Sequence, residues 1–401
     1  MLIAKIKRFL GLGLLLALAL SSSANHLWAA DASASGGGAG DGSGGGTGDN
    51  DGSGAGRGTK RGAGSEAAGG DDKRARVGLT SEEQAQINMD FLQAIIDGNL
   101  EEVEWLLNGG ASVNAVNVDN GNTALMLAAN SLNPQAPAII DKFLVRAEID
   151  VNLRNNDGDT VLIFAADSLN PQASAIVGKL LARAEIDVNA SDDFGWTALM
   201  FAAKSLNPQA PEIVAQLLAR AEINVNACMD DNITALMWAA SSPNPRAPEI
   251  VTQLLAKAGI NLNTQMTDNG LTALMIAVIE GHIDMISPLR MAGANANLHK
   301  NNNGETALML AAYRGQIDIV QLLLINAWAD LDLEDHEGYT ALMGAAEDDH
   351  VDVVLLLLRA GAQITADQMM LLSDGAQQVI RTAQQIIHAE LLLLEAAAAA
   401  A

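Results

Sequence analysis

A single cysteine, Cys228, stands in the 401 residues, so no internal disulfide can form and the fold must be held by packing and hydrogen bonds. Aromatic residues amount to 3% of the chain, which suits thin stacked layers better than one bulky core. Proline is scarce and clustered, because eight of the nine prolines fall between Pro134 and Pro248, Pro288 being the exception. After the first thirty residues no stretch reaches the ~18 uninterrupted apolar residues that a membrane span requires, and Leu391-Leu392-Leu393-Leu394 is stopped by Glu395.

Chemistry-bearing patterns are missing as well. The six histidines, His26, His282, His299, His336, His350 and His388, form no metal-ligand spacing with one another or with Cys228. Asp157-Gly158-Asp159 lacks the downstream glutamate of a calcium loop. No glycine-rich phosphate loop opens a helix, and no serine nucleophile elbow occurs. These absences lead to the expectation of a non-enzymatic protein with no metal and no cofactor.

Positive charge is short where the chain is richest in apolar residues. Residues 1–83 hold nine Lys/Arg and nine Asp/Glu, whereas residues 84–401 hold 14 against 39, so the whole net charge of −25 belongs to the later part. Such a field repels nucleic acid and anionic lipid. It either favours a basic protein partner or serves only to keep a monomer soluble.

What the sequence has is repetition. Thr197-Ala198-Leu199-Met200-Phe201-Ala202-Ala203 returns seven times, starting at Thr123, Thr160, Thr197, Thr234, Thr272, Thr306 and Thr340. The intervals are 37, 37, 37, 38, 34 and 34 residues, and five copies read Thr-Ala-Leu-Met-x-Ala-Ala in full. A fixed period in this range means one small unit stacked on itself. Asn or Asp with Gly just upstream, as at Asn120-Gly121 and Asp157-Gly158, supplies a tight turn. The threonine then caps a short helix with a small-residue face. A second apolar helix follows, as at Ile319–Leu324, and a strand-like piece leads to the next turn. Neither helix could bury its apolar face alone, so the units must stack.

These residues resemble the ankyrin repeat, whose signature is Thr-Pro-Leu-His-x-Ala in about 33 residues. Here Ala and Met replace the family's Pro and His in most copies, while Gly281-His282 and Gly361-Ala362 keep further family features. The resemblance covers roughly residues 84 to 365. It implies a mainly α solenoid of helix-loop-helix units joined by β-hairpin-like turns. It also implies lower rigidity, since the missing His would brace neighbouring loops. Binding of protein partners would use hairpin tips and the concave face of the first helices. The residue before each Thr lies at such a tip, and Phe194, Trp196, Ile233, Leu271 and Tyr339 are unusual there, because an exposed turn prefers polar side chains. Tyr313 and Arg314 add to the rim after Ala-Ala. Trp238 is expected between repeats, and Trp105 in the core.

In chain order, residues 1–30 read as an export signal: Lys5, Lys7 and Arg8 precede the apolar run from Phe9 to Leu20. Residues 31–80 form a Gly/Ser-rich linker, with 17 glycines between Gly36 and Gly70. Lys60-Arg61 and Lys73-Arg74-Ala75-Arg76 within it either solubilise the linker or resemble a bipartite nuclear-localisation signal. Export and nuclear entry are compatible if a bacterium secretes the protein as an effector into a host cell. The alternative is a surface- or envelope-tethered structural protein whose linker holds the solenoid off. The solenoid, an N-terminal cap plus seven repeats, is expected over residues 81–365, and a helical cap with an alanine tail over 366–401.

Four repeats carry an insertion, first seen as Ser131-Leu132-Asn133-Pro134-Gln135-Ala136-Pro137 and returning at 168–174, 205–211 and 242–248. Proline suits a first helical turn but not the residue before it, so each insertion should end the first helix, form an elbow and start the second helix near Pro137 or Pro211. The four elbows are either a trace of tandem duplication or a repetitive docking ridge. Asn232-Ile233-Thr234 matches a glycosylation sequon, but Asn232 reads more simply as a stand-in for the turn glycine.

Overall fold

The computed structural model describes residues 80–400. The export segment, the glycine-rich linker and both basic clusters lie outside the described residues. Among the described residues there are eighteen α-helices and no strand.

The stack begins with α1 (Ser81–Asp97) and α2 (Leu100–Gly109). Thr80 starts α1 with a reciprocal cap: its hydroxyl accepts from the Glu83 amide, and the Glu83 carboxylate accepts from the Thr80 amide at 2.8 Å. Seven helix pairs follow. The first helices are α3 (Ala124–Asn130), α5 (Val161–Asp167), α7 (Ala198–Lys204), α9 (Ala235–Ser241), α11 (Ala273–Ile279), α13 (Ala307–Tyr313) and α15 (Ala341–Glu347). Their partners are α4 (Ala136–Leu144), α6 (Ala173–Leu181), α8 (Ala210–Ala219), α10 (Ala247–Leu255), α12 (Ile283–Ala292), α14 (Ile317–Leu324) and α16 (Val351–Arg359). Each pair packs on the next, first helix against first helix and second against second. The core is therefore a continuous ribbon of Ala, Leu and Met from the first helices and Ile, Val and Leu from the second.

Each first helix is only seven residues long, too short to persist alone, so its cap and its neighbours decide its stability. Six of the seven signature threonines accept a hydrogen bond from the backbone N–H three residues on, always that of Met. Thr160 does not, and its buried hydroxyl oxygen has no partner. Ile163 stands there in place of Met. Elsewhere the methionine can turn back: the Met126 and Met309 sulfurs accept from the Thr123 and Thr306 amides at 3.3 and 3.4 Å.

The strand-like pieces do not become strands. Only isolated bridges form, Val116 with Thr123, Ser191 with Thr197 and Cys228 with Thr234. The turns instead join repeat to repeat through single backbone bonds, such as Asn156 N–H to the Asn120 carbonyl (3.0 Å) and His336 N–H to the Asn303 carbonyl (2.9 Å). This close approach demands glycine: a Cβ on Gly270, which has φ +73°, would sit 2.5 Å from the Asn301 nitrogen. Asn232 takes the same left-handed conformation (φ 59°), as a substitute for the turn glycine should.

The prolines act as expected. Pro137, Pro211 and Pro248 lie in the first turns of α4, α8 and α10, and each elbow ends the preceding first helix at its serine. A further feature of the elbows is not apparent from proline chemistry. The side-chain amide of Asn170 donates to the Ser131 carbonyl, Asn207 to the Ser168 carbonyl (2.7 Å) and Asn244 to the Ser205 carbonyl (2.7 Å). Asn133 begins the series on the Asp97 carbonyl (3.3 Å). In the shorter repeats His282, Gln316 and His350 make the equivalent reach, to the carbonyls of Ala240 (3.0 Å), Val278 (2.9 Å) and Tyr313 (3.0 Å). The reduced rigidity inferred from the missing signature histidine is therefore offset at the other end of the first helix.

Beyond α16, α17 (Ala366–Leu371) and α18 (Asp374–Ala400) close the stack, with Ala376, Ile380 and Ala383 buried and α18 lying on α15 and α16. Glu347 accepts from the Ser373 amide and hydroxyl, both at 2.8 Å, and fixes the start of α18.

Asn207→Ala should lower the unfolding midpoint in urea, at a cost of about 2 kcal/mol, because it strands the buried Ser168 carbonyl and the Gln209 amide. Thr160→Val, which removes an unpartnered hydroxyl, should cost nothing, whereas Thr306→Val should cost about 1 kcal/mol.

Candidate functional site

The candidate surface is the rim of turns together with the outward side of the first helices. The turns are folded by side chains. The Asp192 carboxylate accepts from the Phe194 and Trp196 amides, both at 2.9 Å. Asp335 does the same for Glu337 and Tyr339 (2.9 and 2.8 Å), and Asn155 for Asp157 and Asp159. These bonds curl the chain back toward the first helix before the signature threonine is reached.

The curl corrects the expectation that the residue before each Thr stands exposed at a tip. Trp196, Ile233 and Leu271 are buried, at 7%, 5% and 4% exposure. The Trp196 indole stacks on that of Trp238 (ring centroids 4.6 Å apart, planes at 26°) and meets Phe201 at 4.8 Å. The Lys204 ammonium sits 4.5 Å from the Trp196 ring centroid and within 6 Å of the other two rings. Trp238, expected between repeats, is there. Phe201 and Trp238 occupy the same signature position in successive repeats, 37 residues apart, and that equivalence is the sequence signal that could have placed Trp196 with them.

The other rim residues differ among themselves. Phe194 and Arg314 are half-buried. Tyr313 is 39% exposed and lies beside Gly344, which holds the signature position one repeat on; a Cβ there would be 3.9 Å from the tyrosine Cβ and Cδ2. Burial, with the nearby carboxylates of Asp348 and Glu305, holds the Tyr313 phenol above the usual tyrosine range. Tyr339 is half-buried and donates its hydroxyl hydrogen to the Leu371 carbonyl (3.1 Å), so its ring is tied to the C-terminal cap. Burial, then Glu347, Glu337 and Asp335, likewise raises its pKa. Glu280, at the end of α11, is half-buried and its carboxyl is pushed above the ordinary glutamate value by loss of solvent, against the pull of His282 and Arg314.

Trp105 is corrected in the opposite sense. Expected in the core, it is 70% exposed on α2, because it lies off the buried stripe of that helix, Val103, Leu106 and Leu107. Among the described residues no group of His, Cys, Asp or Glu could hold a metal, and no helix is long and apolar enough to cross a membrane.

A family model of ankyrin repeats matches overlapping segments, 91–174, 135–227, 168–266, 207–300 and 274–368, which together span most of the described stack. The chain belongs to the ankyrin-repeat family. No curated protein matches it in sequence. Ankyrin repeats serve protein–protein interaction and typically carry no catalytic activity of their own.

Trp196→Ala should cost about 3 kcal/mol and visibly lower the melting temperature, because it opens a cavity beside Trp238 and Phe201. Glu280→Gln should raise the melting temperature at neutral pH. The folded state holds the Glu280 proton more tightly than the unfolded chain does, so the parent loses stability as pH rises above the ordinary glutamate value of 4.5. The difference between parent and variant should close as pH falls to that value.

Proposed function

We propose that this ankyrin-repeat protein is an exported, non-catalytic binding module that takes a basic protein partner on the surface formed by its turns and first helices. The observation that carries the reading is a constant frame with a variable lining. At the position before the signature threonine the seven repeats place Asn122, Asp159, Trp196, Ile233, Leu271, Glu305 and Tyr339. The backbone bonds around them repeat from unit to unit. A surface whose scaffold is fixed while its side chains diverge is suited to recognising one particular protein rather than performing one reaction. The excess of acidic groups favours a basic partner and steers its approach. Within this surface Tyr313, which is exposed, and Arg314 and Phe194, which are half-buried, are the anchors, while Trp196, Ile233 and Leu271 are buried. Export rests on Lys5, Lys7, Arg8 and the apolar run that follows.

Capture from a cell extract by the immobilised protein tests the reading. A partner should bind at low ionic strength, be released as salt rises, and bind at least tenfold less to Tyr313→Ala. Undiminished capture by that variant, or capture indifferent to salt, would place binding elsewhere.

A further inference from the structure

Gly344 is the only glycine in the seven first helices. It holds the fifth signature position, where the other units place Leu127, Phe164, Phe201, Trp238, Ile276 and Leu310. Glycine in a helix interior is destabilising relative to alanine, because the unfolded chain gains freedom and no side chain is packed. The fold gives no reason to accept that cost. The turn glycines have positive φ and close neighbours: a Cβ on Gly304, at φ +79°, would lie 2.9 Å from the His336 nitrogen. Gly344 instead lies mid-way along α15. Apart from its chain neighbours and its own helix, the only atoms within 4 Å of a Cβ built there are Tyr313 Cβ and Cδ2, both at 3.9 Å, which is ordinary contact. A side chain would fit, and the sequence leaves the space beside Tyr313 open.

The equivalent place three repeats earlier shows what such a space can hold. There Lys204, which ends α7, sets its ammonium 5.6 Å from the ring of Trp238, the fifth-position residue of the next unit. The same ammonium lies 4.5 and 5.3 Å from the rings of Trp196 and Phe201. By repeat register Tyr313 stands where Lys204 stands, Gly344 where Trp238 stands, Leu310 where Phe201 stands and Glu305 where Trp196 stands. In the earlier place the chain supplies both the cation and the rings. In the later one the residue that brought the cation has become a ring, and the ring it met has been removed.

Carboxylates complete the later place. Tyr313 is 39% exposed, and after burial the groups that act most on its phenol are Asp348 and Glu305, with Arg314 the smallest influence and the one that opposes them. Glu305 is paired with Lys300 at 2.8 Å, whereas Asp348 is exposed. Asp348 caps α15 four residues beyond Gly344, one turn further along the same face.

We propose that the notch at Gly344 is the anchor site for one arginine side chain of the basic protein partner, its guanidinium laid against the Tyr313 ring and turned toward Asp348. The inference rests on the reading of the rim as a surface for a basic protein. Arginine fits better than lysine, because its planar head stacks on an aromatic ring, is less strongly hydrated and meets a carboxylate with paired N–H groups. Its apolar stem fills the space that leucine, phenylalanine or tryptophan fills in other units. A purely apolar side chain would fill that space and leave the acidic border unmatched.

The test is a titration of the full chain at low ionic strength with a pentapeptide carrying one arginine between glycines, followed by the amide resonances of Gly344 and Tyr313. Both should move and saturate. The lysine peptide should bind more weakly, and the citrulline peptide, which keeps the shape and loses the charge, should not bind. Gly344→Leu removes no charge, yet it should weaken the arginine peptide roughly tenfold or more by filling the notch. Gly344→Ala should melt no lower than the parent. Resonances that stay still, equal binding of citrulline, lysine binding as tight as arginine, or parent-like titration of Gly344→Leu would each overturn the proposal, as would a fall in the melting temperature of Gly344→Ala. Full capture of the extract partner by Gly344→Leu would also overturn it while leaving the rim reading in place. A parent that binds the arginine peptide but captures no basic protein would overturn the rim reading and, with it, the role of the notch as a partner anchor.

Discussion

The structure depends on one hydrogen bond made seven times: a side chain at the end of each elbow reaching a carbonyl of the unit before it. The donor changes, from asparagine in the four insertion repeats to His282, Gln316 and His350 in the others, while the target remains the end of the preceding first helix. Van der Waals contact between faces of Ala and Leu is tolerant of sliding, because one small side chain resembles the next. A directional bond to a particular carbonyl is not. It sets the register, and the glycine turns at the other end of each first helix then come close enough for their own backbone bonds. In a stack where each unit touches only its neighbours, stability is close to a sum of such interfaces.

The sequence made the frame readable because the frame is periodic. Threonine spacing located the first helices, proline located the starts of the second helices, and Asn232 could be read as a glycine substitute from its place in the turn. The direction of single side chains was less legible. Trp196 looked like an exposed tip because it lies between a glycine and a cap. The Asp192 carboxylate, by gathering the Phe194 and Trp196 amides, turns the indole back onto Trp238. That outcome depends on a hydrogen bond four residues long and on a ring 42 residues away, and neither has a signature in local composition. Trp105 failed for a simpler reason: Val103, Leu106 and Leu107 form the inward stripe of α2, and the tryptophan between them lies off it.

Once the frame has used its polar groups on itself, what remains outside divides by character. The turns and first helices carry carboxylates and the two tyrosines, with phenols held protonated by burial and by neighbouring acids. The elbows of the four longer repeats carry leucine and proline. The insertion therefore adds more than length. Without it, the elbow is Gly281-His282, Gly315-Gln316 or Asp349-His350, which makes the same inter-repeat bond, and the apolar side chain beside the histidines is less exposed, Ile283 at 38% and Val351 at 39% against 62% to 66% for the leucines.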